Sequence, residues 1–420
     1  MVAPGDKNSQ YQHAEVPDEL IRYSGNPERN IIKMEAVRHD GAYDTGSEMQ
    51  QKALTALSIL SEDPEANAEI NTAIERGYFM VLDDYYGGAD SEASGVFPLI
   101  SVVHDYRSRN FLTDDHGHQT AASHVFIGRH EIRHINQPDE LGGLNKLAFG
   151  PLDSLKATFF SEADAQAEAV MFSLSDGDGD NKVRIRAEMA HPEYVFSQAT
   201  QSAVEYDASK LVHWSDETYN ANIRAEAFLG WMSPESDLSR KSVQGYVDKE
   251  LEGYGRVLGG IRDMEEGLGS ALEQYLQDPD SISQEEIVGA VHRLNDVMKS
   301  TVGIGYTDLP FGGNVREMDM ETLSLLGERE FSKNYFTETM ETHGSEFQAL
   351  VNADAAYLQE RMGVEIDQDQ LDQLSALREE VALLHEANMA LIEPMLANAA
   401  PDDPIIHHGN DDASAPSIKP

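Results

Sequence analysis

Gly128-Arg129-His130-Glu131-Ile132-Arg133-His134 holds the spacing His-Glu-x-x-His, and on a helix two imidazoles four residues apart stack on one face. Both rings can then reach a single ion, with Glu131 beside them and close to a water on that ion. This reading sets the expected fold. The stretch becomes part of a helix from about Thr120 to Asn136, ended by Pro138 and carrying Ala121, Ala122, Val125, Phe126 and Ile135 on its apolar side. A strand should run alongside it, because an extended peptide can add itself to an exposed sheet edge through backbone hydrogen bonds. Tyr78-Phe79-Met80-Val81-Leu82 reads as one strand and Gly95 to His104, with Val96, Phe97, Leu99, Ile100, Val102 and Val103, as another. Gly95 to Val103 is the candidate edge.

A catalytic zinc takes three protein ligands and keeps one position for water, so a third ligand must lie outside this motif. The chain has no cysteine, which removes thiolate zinc sites, thiol nucleophiles and disulfides and leaves His and carboxylate to hold a metal. Downstream, Phe160-Ser161-Glu162-Ala163-Asp164-Ala165-Gln166-Ala167-Glu168-Ala169 opens a second helix with Ala163, Ala167, Val170 and Leu174 on its apolar face. A turn at Gly142-Gly143 would return the chain so that this helix crosses the first. Glu162 is the first choice for the third ligand, with Asp164 and Glu168 as alternatives. A competing reading makes Ser161 an N-cap and Glu162 and Asp164 the acids that any helix start favours near its positive end. Asp164 or Gln166 could also orient a ligating imidazole by a hydrogen bond.

The seven residues from Gly128 to His134, together with Ser161-Glu162-Ala163-Asp164-Ala165-Gln166-Ala167, resemble the gluzincin group of zinc metallopeptidases, in which a Glu on the next helix completes the site. They are more closely similar to an uncharacterised bacterial metallopeptidase family. The likeness spans about residues 75 to 235. It implies a mainly helical zincin domain with a small sheet, Zn2+ held by His130, His134 and Glu162, and Glu131 as general base. One departure stands out: better-known gluzincins often carry an Asp four residues after the ligating Glu, where this chain has Gln166, and here the Asp comes two residues after.

Such a site implies hydrolysis of a peptide bond by a zinc-activated water, with Glu131 moving the proton. The oxyanion needs a further donor, and Tyr206, His213, Tyr219 and Arg224 are candidates, each with a packing or surface role as the competing reading. His104, His116, His118 and His124 crowd the motif from upstream, as loop histidines more than as a second metal site. Asp176-Gly177-Asp178-Gly179-Asp180-Asn181 alternates carboxylates as calcium loops do, but Ala187 stands at the twelfth position, so an exposed acidic turn is preferred.

A chain of 420 residues exceeds one ordinary core. The expected organisation is an irregular N-terminal arm over 1–45, a zincin-like metallopeptidase domain over 46–235, a helical domain over 236–400 and a disordered tail over 401–420. The fold class is α+β and predominantly helical. Helices are expected near Glu48 to Leu60, over Pro64 to Arg76 with Asp63 as cap, over Leu251 to Leu276, and over Ser283 to Lys299 behind the capping box Ser283-Gln284-Glu285-Glu286. Gly303 to Asn314 reads as a turn or linker. A long helix from Asp369 to about Ala399 carries Leu374, Leu377, Val381, Leu384, Leu391 and Met395 near heptad spacing, and Asn388 interrupts the stripe as a register-fixing polar residue. An intramolecular bundle is the preferred packing for it.

With 75 acidic against 31 basic residues, the net charge of -44 repels phosphate backbones and anionic lipid. Nucleic-acid and membrane partners are therefore not expected, whereas a protein or peptide substrate is. Met1 to Gln10 lacks the basic-then-apolar order of a secretory leader, and no run approaches ~18 apolar residues. The expectation is a cytoplasmic protein, or one exported by a leaderless route. The competing functional reading is a helical binding or scaffold protein in which the histidine pair is an accident of a polar helix face.

Overall fold

The computed structural model describes residues 60, 64–75, 79–83, 91–94, 99–103, 128–134, 136–138, 141–174, 217–233, 237–302, 304–327 and 333–398. The expected arm and tail, the helix before Leu60 and the Asp63 cap lie outside these residues. In chain order the first elements are α1 (Pro64–Glu75), β1 (Phe79–Asp83), β2 (Ser91–Ser94), β3 (Leu99–Val103) and the helical segment α2 (128–134). Then come α3 (Pro151–Leu174), α4 (Glu217–Trp231), α5 (Asp237–Gln277) and α6 (Gln284–Val302). The last are α7 (Met320–Ser324), α8 (Lys333–Val351), α9 (Ala355–Met362) and α10 (Gln368–Asn398). No described helix is long and apolar enough to cross a membrane.

The expected α+β class, a zincin-like domain with a small sheet, is corrected: the described part of the chain is 82% helical, and the fold is α-helical. The two extended runs do pair, β1 with β3 in parallel and β2 with β3 antiparallel, but this short strip is not the layered sheet on which a zincin is built. Its order is β1-β3-β2. The proposed edge is therefore the middle strand, with both its backbone sides occupied by neighbours, and it cannot accept a substrate strand.

The chain divides into two compact units, the first comprising Met1–Gly142, Lys156–Tyr246 and Met318–Ile366 and the second Gly143–Leu155, Val247–Glu317 and Asp367–Pro420. In the first unit α3 is central from Lys156 onward. Pro151 stands at its first position, where a missing N–H costs nothing, and alanines at 157, 163, 165, 167 and 169 with no internal glycine or proline favour the helix strongly. Every residue from Ala163 to Val170 is buried, so the helix is enclosed all round rather than on the one apolar stripe expected. The Phe160 ring lies 6.1 Å from Phe228 of α4, which lies 5.1 Å from Phe347 of α8. Phe159 packs 6.1 Å from Trp231.

In the second unit Gly143 takes a left-handed φ of 56°, which glycine adopts without a Cβ penalty, and opens a 3-10 turn over Gly143–Ala148. The Arg378 Nε donates to the Leu147 carbonyl at 2.8 Å, and the Tyr254 hydroxyl donates to that of Phe149 at 2.8 Å. α6 begins as expected: the Ser283 amide donates to Glu286 at 2.8 Å and the Glu286 amide to Ser283 Oγ at 3.2 Å. The segment expected as a linker after Gly303 instead contributes to the core, with Tyr306 and Phe311 buried.

The buried face of α10 is Leu371, Leu374, Arg378, Val381, His385, Asn388 and Ile392, a heptad stripe in which three polar residues take core positions. Leu391, expected on that stripe, is exposed. A Cβ added to Gly255 would lie 2.9 Å from Leu374, and one on Gly269 3.2 Å from Asn388 Oδ1, so α5 and α10 run parallel in close contact. Between them lies the buried carboxylate of Glu265. It accepts from the Tyr306 hydroxyl at 2.5 Å, from Asn388 Nδ2 at 2.8 Å and from His385 Nδ1 at 2.5 Å. Asn388 also donates to the Glu265 backbone carbonyl at 2.8 Å, which is the register role expected of it.

Removing the acid would orphan three buried polar groups at once, a situation that costs about 3–5 kcal/mol. Glu265→Ala is expected to lower the urea-derived unfolding free energy by that amount. Truncation of its exposed neighbour, Glu266→Ala, should stay within about 0.5 kcal/mol.

Candidate metal centre

α2 and α3 supply the three side chains whose ligand atoms converge: His130 and His134 from one, Glu162 from the other, all within 4.8 Å of one another. The Nε2 atoms of the two histidines are 3.0 Å apart, and their rings meet edge to face with centroids separated by 4.7 Å. One Glu162 oxygen lies 3.3 Å from His130 Nε2 and the other 3.6 Å from His134 Nε2. Two imidazole nitrogens and a carboxylate aimed at one point are the donor set that zinc favours. Among the described residues these three form the group. Their side chains keep 14–16% of their surface exposed.

Glu162 does not lie at a helix start. Because α3 begins at Pro151, Glu162 sits well inside the helix, and the competing account of Ser161 as N-cap with favoured acids behind it does not hold. Ser161 turns instead toward α2. Its hydroxyl donates to Gln137 Oε1 and lies 3.3 Å from His134 Nδ1. Gln137 Oε1 is 2.9 Å from His134 Nδ1, and Gln137 Nε2 donates to the Ser161 carbonyl at 2.6 Å and to Asp164 Oδ2 at 3.0 Å. Asp164, considered from sequence for this role, is taken by arginines instead, and the nearest partner of His134 Nδ1 is Gln137. Three residues past the second histidine, on the turn that closes α2, it carried no signal beyond its proximity.

Behind the ligands lies a buried set of three arginines and three carboxylates. Arg133 donates through Nε to Asp164 at 2.7 Å, through Nη1 to Glu69 at 3.2 Å and through Nη2 to the Leu326 carbonyl at 2.8 Å. Arg129 pairs with Glu69 of α1 and, at 2.8 Å, with Glu168. Arg224 of α4 reaches Asp164 at 2.6 Å and Glu168 at 2.9 Å. All six side chains are buried. Asp164 and Glu168 are therefore committed to arginines and are not ligands, and Arg224 is a structural cation rather than an oxyanion donor facing a cleft. Tyr206, His213, the upstream histidines at 104, 116, 118 and 124 and the loop at 176–181 lie outside the described residues, as does the side chain of Tyr219.

Electrostatics separate the two groups. Burial opposes the charge on Asp164, but Arg133, Arg224 and the bond from Gln137 outweigh it and hold the carboxyl well below its usual range. Glu168 is lowered likewise by Arg224 and Arg129 against its burial. Among the ligands, burial lowers the His134 pKa, yet the charge and hydrogen bond of Glu162, with Glu131 and Gln137, raise it to about 9. Glu162 is pushed down in return, against burial, by both histidines. Glu131 is itself buried, and its charge acts on His134.

No family model matches the chain, and no curated protein or solved structure matches it.

A carboxylate with a depressed folded pKa stabilises the fold above its unfolded pKa, near 4, and loses that contribution as pH falls through the folded value. The general repulsion from a net charge of -44 relaxes over the same range, so the informative quantity is a difference between variants. Asp164→Asn should be about 3–5 kcal/mol less stable than the wild type near neutral pH. That gap should narrow below about pH 4, as read from urea unfolding at a series of pH values.

Proposed function

We propose that the protein is a zinc-dependent hydrolase that cleaves peptide bonds in a protein or peptide substrate. The observation that carries this reading is the convergence of His130, His134 and Glu162 with their side chains still open to water. A catalytic zinc takes three protein ligands and keeps one position for water, and among the described residues these three side chains are the ones that converge. The identity of the ligands agrees with the resemblance to gluzincins, while the helical fold around them does not follow the zincin plan.

When bound, zinc supplies a Lewis acid that polarises the scissile carbonyl and lowers the pKa of a coordinated water toward neutrality. His130, His134 and Glu162 would hold the ion, with one negative charge among the three. Glu131, next in the chain to His130, takes the proton of the attacking water and delivers it to the leaving amine. The arginine-balanced carboxylates behind the site keep their charges paired, so Glu131 and Glu162 are the acids whose charge acts at the ligands. The chain's net charge of -44 favours neutral or cationic peptides over nucleic acid or anionic lipid.

Elemental analysis is expected to find one zinc per chain, lost in Glu162→Ala. Glu131→Gln should keep the zinc and lower the cleavage of casein or a peptide library by ~10²–10⁴-fold. Cleavage that survives Glu131→Gln at the wild-type rate, or a wild type that binds no zinc, would overturn the reading.

Because the His134 pKa is raised to about 9, a proton competes with the metal for Nε2 near neutral pH. Zinc binding should therefore release a proton, and affinity should climb by roughly tenfold per pH unit up to about pH 9. Calorimetric titrations in buffers of different ionisation enthalpy measure this directly.

A further inference from the structure

The hydrogen bonds around Gln137 form a chain of forced choices. Asp164 accepts from Arg133 and Arg224 and is ionised, so toward Gln137 it can only accept. The Ser161 backbone carbonyl can only accept as well. The Gln137 atom that meets both, at 3.0 and 2.6 Å, must therefore be the amide nitrogen. A flipped amide would set its oxygen against two acceptors and lose both bonds. With the nitrogen fixed on that side, the amide oxygen faces His134 Nδ1 at 2.9 Å, and it can only accept. Nδ1 must then carry hydrogen, and the lone pair of the neutral ring is left on Nε2, the atom turned toward His130 and Glu162. Gln137 is itself buried, so water does not compete readily for these bonds.

We propose that Gln137 is the positioning residue of this site: with its amide locked by Ser161 and Asp164, it fixes His134 in the Nδ1–H tautomer and holds Nε2 ready for a metal. The purpose assigned to the tautomer rests on the zinc reading above; the tautomer itself does not. The device extends the motif to His130-Glu131-x-x-His134-x-x-Gln137 and uses an uncharged amide where carboxylates commonly orient such rings. A carboxylate at this point would lie against the ionised Asp164, and the amide avoids that repulsion by donating to it. It also lets the buried Arg133 and Arg224 reach the ligand's orientation through one intermediary, with no further charge beside the metal.

The test is nitrogen NMR of the full chain labelled with ¹⁵N-histidine, with His134 assigned by the signal missing in His134→Asn. Spectra are recorded at about pH 10, where the ring is neutral, without metal and after zinc addition. The wild type should show a protonated Nδ1 in both states, with the shift on zinc addition confined to Nε2. In Gln137→Leu the tautomer should become mixed or change to Nε2–H, and the zinc Kd from chelator competition should rise about 10–100-fold.

Asn136→Ala is the structural comparison. Its amide donates to the Glu69 and Ile132 carbonyls, so the substitution should lower stability while leaving tautomer and zinc affinity as they are. Nε2–H in the wild type overturns the proposal, as does a Gln137→Leu protein with unchanged tautomer and Kd. Should Gln137→Leu fail to fold, the wild-type tautomer still decides. A wild type with Gln137-dependent Nδ1–H but no zinc affinity would refute the hydrolase reading and leave the role of Gln137 intact.

Discussion

Arg133 and Asp164 meet at 2.7 Å where neither side chain has any exposed surface. A charge in such a place is tolerated only if it is paired and its remaining donors and acceptors are satisfied, and this condition shapes much of the first unit. Arg133 has donors left after Asp164, and they are taken by Glu69 and the Leu326 carbonyl. Asp164 has a second oxygen, taken by Arg224. Glu168 and Arg129 then close the set. Each addition draws in another element, so α1, α2, α3, α4 and the turn at Leu326 are held to one arrangement by geometry that hydrophobic contact alone would leave looser.

The same pairing places the candidate ligands. Arg133 is on α2 between the motif's two histidines, and Asp164 is on α3 two residues beyond Glu162. Locking those two residues together fixes how far α2 and α3 can slide or rotate, and so brings the histidine nitrogens within 3.3 and 3.6 Å of the Glu162 carboxylate. The arginines serve this purpose without entering the site, because their charges are matched one for one by buried acids. Where the balance is deliberately incomplete is at the ligands themselves. There Glu162 and Glu131 act on His134 together and raise its pKa to about 9, an environment already suited to a divalent cation.

What could be read in the sequence follows from range of interaction. The histidine pair and its Glu162 partner are legible because the spacing a metal would demand is local and chemically specific. The capping box at Ser283 and the helix from Gln368 are legible because their signals lie within a few residues. The buried arginines were not. On sequence grounds Arg129 and Arg133 are polar helix residues with no sign of burial, and their acids come from positions as distant as Glu69 and Glu168. The start of α3 is hidden for a related reason: Ser161 is a good cap in isolation, but the helix begins at Pro151 and runs on through it. The expectation of a zincin sheet rests on two apolar runs that do become strands, yet nothing local in them says whether a sheet grows or which strand is central.

The second unit applies the same constraint without any sign of a site. On α10 the heptad stripe is continued by Arg378, His385 and Asn388 at positions where leucines would pack as well. A helix pair with only leucines along its seam can shift by a turn at small cost, since one apolar contact replaces another. Glu265 removes that freedom, because its buried carboxylate is satisfied only when Tyr306, His385 and Asn388 are all opposite it. Asn388 adds a bond to the backbone of the same residue, which no shifted register could supply. The leucines expected to define this helix are partly outside its buried face for that reason: the polar residues, not the apolar ones, determine which way α10 turns.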